Sequence, residues 1–119
     1  TLRPLLAGLA AMPLLAGCDA LTSVDTRLER AEAAIDNGDF GTASVELRKA
    51  VDDQPDNAAV RLLLAKLALR ASDGLAAAAE LERARAAGAD PRAVDILLLD
   101  AWLAQADKAQ QVLAYFDGK

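Results

Sequence analysis

Residues 38–70 read GDFGTASVELRKAVDDQPDNAAVRLLLAKLALR. A glycine–aspartate pair opens the stretch, and Gln54-Pro55-Asp56-Asn57 divides it into two runs. Gly38 suits the left-handed end of a preceding helix, and Asp39 can accept hydrogen bonds from the first free N–H groups of the next. Proline cannot continue a helix, and the polar residues around it offer caps for another. Ala43, Leu47 and Ala50 are spaced to share one helical face. Small residues there allow close approach by a neighbouring helix, and the leucine fills the remaining gap.

Working outward, the same pattern recurs at a spacing of 34 residues without a gap. Arg27, Leu28, Ala31 and Ala34 fall on Arg61, Leu62, Ala65 and Ala68. Asp39, Ala43, Glu46, Leu47 and Ala50 fall on Asp73, Ala77, Glu80, Leu81 and Ala84. A second shift pairs Val60, Leu63, Leu69 and Asp73 with Val94, Leu97, Leu103 and Asp107. Alanine richness inflates chance matches but does not explain the matched charges. The second break, Ser72-Asp73, repeats the first, and Gly88-Ala89-Asp90-Pro91 supplies a C-cap glycine, an N-cap aspartate and a proline at the first helical position. The punctuation predicts six helices, at 24–37, 40–53, 57–71, 73–87, 91–105 and 107–117. The class is all-α: a helical-hairpin solenoid of about two and a half to three repeats.

These features resemble the tetratricopeptide repeat, whose second helix carries small–large–small residues where Ala43, Leu47 and Ala50 stand, then Ala77, Leu81 and Ala84, with a proline at the place of Pro55. Arg27 and Ala34 depart from that pattern, since larger apolar residues are usual there. Gln111 departs in the third unit, standing where Ala77 stands in the second. Regularity is therefore expected to weaken at both ends.

The N-terminal segment reads differently. Arg3 precedes an apolar run from Leu5 to Ala16, the order of a secretory signal, and the run is shorter than the about 20 residues a permanent span needs. The junction Leu15-Ala16-Gly17-Cys18 resembles the lipobox of bacterial lipoproteins. That resemblance implies removal of residues 1–17 and a diacylglyceryl group on the Cys18 thiol, followed by a short linker at 18–23 and repeats over 24–119. Plainer readings are a small buried cysteine in an apolar helix, or an ordinary cleavage after Ala20. Asp19 is either a signal retaining the protein at the inner membrane or merely the first solvated residue. The chain begins at Thr1 rather than methionine, and its last unit has no polar cap before Lys119, so the array is expected to be cut short.

The chain as a whole resembles the tetratricopeptide lipoproteins found beside exosortase and PEP-CTERM protein-sorting systems, in the lipobox, in residues 38–70 and in GADPRAVDILLLDAWLAQADKAQQVLAYF at 88–116. It implies an envelope scaffold linked to exopolysaccharide assembly, lipid-anchored on the periplasmic side. A scaffold for another envelope machine (pilus, outer-membrane or polysaccharide secretion) and the non-catalytic part of a longer protein are the alternatives. By the repeat resemblance, the concave face that takes protein or peptide partners would include Glu32, Asp36, Lys66, Arg70 and Asp100. The bland reading of each is a charge solvating an exposed helix.

Composition closes other classes. With no histidine and one cysteine, the usual general base is missing and multi-cysteine zinc sites are excluded. A formal charge of −5 argues against nucleic acid, which calls for a basic surface. Ser23, Ser44 and Ser72 sit in no nucleophile elbow. Asp52, Asp53 and Asp56 lack the alternating ligand spacing and the glycine of a calcium loop. No catalysis, no metal, no small-molecule substrate and no cofactor beyond the acyl lipid are expected.

Overall fold

The computed structural model describes residues 21–118, so Leu15, Ala16, Gly17, Cys18 and Asp19 lie outside the described residues. Five helices follow in order: α1 Val24–Asp36, α2 Phe40–Asp53, α3 Ala58–Arg70, α4 Gly74–Ala86 and α5 Pro91–Asp117. Every one starts at a side-chain cap. Ser23, Asp39, Asn57, Asp73 and Asp90 accept from the backbone N–H of Thr26, Thr42, Ala59, Ala76 and Arg92 respectively. Each bond satisfies a donor that the first turn would otherwise leave open.

The ends of α1, α3 and α4 are also alike. After α1 the Gly38 N–H donates to the Ile35 carbonyl and the Asp39 N–H reaches back to Ala34 at 2.8 Å. Ser72 and Asp73 do the same to Leu69 and Ala68, as do Gly88 and Ala89 to Arg85 and Ala84. This closure requires a left-handed residue. Gly38 (φ 75°) and Gly88 (φ 94°) meet that need freely, whereas Ser72 adopts φ 58° with a Cβ, a conformation that costs an L-residue about 1–2 kcal/mol.

Neighbouring helices pack as hairpins, α1 with α2 and α3 with α4, while α1 touches α3 and α3 touches α5. Ala31, Ala43, Leu47, Ala50, Ala65, Ala77, Leu81 and Ala84 are fully buried at these crossings. Gly74 marks a close approach: a Cβ there would stand 2.5 Å from the Ala101 carbonyl oxygen of α5.

Two expectations are corrected. The helices expected at 91–105 and 107–117 are one continuous helix of 27 residues. The turn would place Ala106 at the left-handed position filled by Gly38 and Ser72, and alanine is the best helix former while lacking a side chain to support that conformation. Arg27, read as a departure, is instead a regular structural feature. It is 7% exposed and its Nη1 donates to the Glu46 carboxylate at 3.0 Å.

Candidate functional site

The first helices of the units, α1, α3 and α5, lie side by side and line one face. A groove of about 260 Å³ opens there, walled by Ile35 and Asp36 of α1, Lys66, Leu69 and Arg70 of α3, and Asp100 of α5. Four of the five charged residues singled out in the sequence therefore meet in one cavity. Glu32 is exposed on α1 but outside its walls.

The register explains the meeting. Lys66 and Asp100 are equivalent residues one repeat apart, and Asp36 and Arg70 are another such pair. A repeat that stacks with constant rotation brings equivalent positions to the same face. The two cations stand at the centre on α3, with a carboxylate on either flank. All four charged residues are exposed, and no ion pair among the described residues joins them to one another. The guanidinium of Arg70 lies over the Phe40 ring, 5.8 Å from its centroid, an arrangement that restrains a long side chain without neutralising it. Ile35 is buried and Leu69 half-buried, so the floor is apolar. Such a groove suits a chain segment with an acidic residue over the cations and an apolar side chain beneath.

Outside the groove, the structure shows a repeated feature the sequence reading passed over. Arg61 Nη1 donates to Glu80 at 3.2 Å, the counterpart of Arg27 with Glu46, and both pairs span 19 residues. Their side chains are mostly buried, at 8% and 13% exposed in the first unit and 16% and 17% in the second. Each ties the first helix of a hairpin to its second. The signal was present: arginine and glutamate recur together at the repeat spacing. These pairs are structural, since each lies mostly buried and links the two helices of one hairpin.

Pro55 lies exposed in the turn between α2 and α3. Its carbonyl accepts from Arg61 Nε at 2.9 Å, which fixes the approach to the second unit. Among the described residues, no three or more His, Cys, Asp or Glu side chains gather in a way that could hold a metal ion, and no helix is long and apolar enough to cross a membrane.

A family model for the tetratricopeptide repeat matches residues 34–99, from the end of α1 into α5 and across both turns that carry the repeat. The chain belongs to the tetratricopeptide repeat family. Neither the curated proteins nor the solved structures yield a match. The tetratricopeptide fold is typically a non-catalytic protein–protein interaction scaffold, and the stacked hairpins seen here are that architecture.

Proposed function

We propose that this tetratricopeptide array is a membrane-anchored scaffold of the bacterial envelope that holds an extended segment of a partner protein along α1, α3 and α5. The observation that carries the reading is the convergence of Asp36, Lys66, Arg70 and Asp100 on one apolar-floored groove. An acidic side chain of the partner would sit between Lys66 and Arg70, with an apolar neighbour against Ile35 and Leu69. A peptide array bound by the chain should show this pattern, and Lys66→Ala with Arg70→Ala should abolish the signal. Equal array profiles for wild type and the double variant refute the groove as the working surface.

The anchor is the lipid on Cys18, and the setting is that of the PEP-CTERM lipoproteins the sequence resembles. Acyl chains contribute about 0.8 kcal/mol per buried methylene, so more than one holds an acidic domain that anionic head groups repel. Labelled palmitate fed to an expressing bacterium should enter the wild-type chain but not Cys18→Ala. Equal labelling of both, or of neither, refutes the anchor. Binding by the groove is independent of that result.

A further inference from the structure

The third unit leaves a surface that its two predecessors cover. Ala31 and Ala65 are fully buried, whereas Leu99, the same position one repeat on, is 56% exposed. Trp102 and Leu103 stand where Ala68 and Leu69 are half-buried, and they are 57% and 66% exposed. In the first two units the second helix folds back over these positions. In the third it runs straight on as the distal half of α5, carrying Val112, Leu113 and Phe116, each more than half exposed.

A fold-back within the chain is opposed at four places. Ala106 stands where the turn requires a left-handed residue. Leu99 replaces the fully buried alanine of the first helix, and Gln111 that of the second. Asp95 and Ala114 replace the arginine and glutamate that tie the earlier hairpins together, and Asp95 is instead bound to Arg85 of α4 at 2.7 Å.

The exposed residues have an order of their own. Leu99, Trp102, Ala106, Ala109, Leu113 and Phe116 follow one another at alternating spacings of three and four, which makes a single stripe along a helix. The stripe is also self-complementary when a second copy lies antiparallel. Leu99 then faces Phe116, Trp102 faces Leu113 and Ala106 faces Ala109, each pair formed twice about a two-fold axis. Large side chains fill both ends, and the alanines at the centre allow close approach. Of the flanking residues, Leu98, Leu103, Gln105, Gln110 and Val112 carry no charge, and Asp117 adds one only at the end of the stripe. We infer that α5 pairs antiparallel with α5 of a second copy, making the protein a two-fold dimer joined at its third units.

The area suffices. Leu99, Trp102, Leu103, Val112, Leu113 and Phe116 are all more than half exposed. They offer roughly 600 Å² per copy, given about 150–250 Å² for a whole aromatic side chain and less for an aliphatic one. Stable interfaces take about 600–1,000 Å² from each partner, so the stripe reaches the lower end of that range. A groove of about 380 Å³ beside the stripe extends the flank, with Leu75, Ala109 and Val112 as its apolar walls and Asp73, Gln105 and Lys108 as its polar ones. The pairing also needs no left-handed turn at Ala106, which sets it above the fold-back. It does not rest on the peptide groove, which lies on α1, α3 and the proximal part of α5.

Trp102 is the chain's only tryptophan and reports directly. The reduced full chain should sediment as a dimer, and its emission should shift red on dilution as Trp102 returns to water. Trp102→Glu and Leu113→Lys should each weaken the dimer about a hundredfold or more, as loss of a central anchor does, with wild-type helicity. Mixed in equal amounts they should pair again, because the introduced glutamate then faces the introduced lysine while the native Trp102–Leu113 contact survives once. A chain that stays monomeric at about 100 μM, blue-shifted emission that ignores concentration, or variants that fail to pair on mixing would each overturn the proposal.

Discussion

The first two units and the third share a register but not a shape. In the former, a left-handed residue, two small contact positions and an arginine–glutamate pair act together to close a hairpin. In the latter, Ala106, Leu99, Gln111, Asp95 and Ala114 replace all of these, and the helix continues for 27 residues. The lesson is that a hairpin is closed by the agreement of several modest terms. Helical character alone is common to all three units and decides nothing about folding back.

The largest expected effect tests whether burial separates the two regions. Leu81 is fully buried between α4 and its neighbours, so Leu81→Ala should cost about 2–5 kcal/mol in urea unfolding. Leu113→Ala, measured in a dilute monomer, should cost no more than about 0.5 kcal/mol, as exposed positions do. Similar losses at the two sites would erase the distinction.

Next come the tight contacts. Ala77→Leu should overpack the crossing with α3 and cost about 1–3 kcal/mol. Gly74→Ala should fall in the same range, since the added Cβ meets the backbone carbonyl of Ala101 rather than a flexible side chain. Wild-type stability in the first would mean that α3 and α4 are farther apart than described, and in the second that α4 and α5 are.

The ion pairs should give a middling effect with a particular signature. Arg27→Ala or Glu46→Ala alone removes one side of a mostly buried pair and should cost about 2 kcal/mol. The double variant should cost less than the two single losses combined, the mark of coupled residues in a double-mutant cycle. Strict additivity would show that the two side chains do not interact.

The turns give the smallest shifts and sharpen the comparison most. Ser72→Gly should raise stability by about 1 kcal/mol and Gly38→Ala should lower it by a similar amount, because both are held at positive φ. Ala106→Gly should loosen α5 at its midpoint and weaken the dimer. Asp39 adds a pH term: the Thr42 hydroxyl, then the Thr42 N–H, hold its carboxyl below the ordinary aspartate range. A depressed folded-state value means that the cap contributes fully above the unfolded value and is lost as pH falls through the folded one. Asp39→Asn should therefore lower the neutral plateau slightly and flatten the acid limb of the stability curve, and an unchanged acid limb would count against the cap.

Much of this was legible in the residues. The spacing of 34, the caps at Asp39, Asp73 and Asp90, and the left-handed Gly38 and Gly88 are local matters: each follows from what a side chain or backbone can do within one turn of chain. The all-α architecture follows from the same periodicity, and the gathering of Asp36, Lys66, Arg70 and Asp100 was implied by the resemblance to the tetratricopeptide repeat, in which equivalent positions share a face. Only the tertiary structure decided what Arg27 does and whether the third unit closes. Arg27 looked out of place because its partner is 19 residues away, on another helix, and burial becomes acceptable only when the two charges meet. Asp107 looked like a cap because it matches Asp73. Whether a cap is used depends on whether the preceding helix ends, and that depends on Ala106 and on the contacts a folded-back helix would gain, which no local pattern contains.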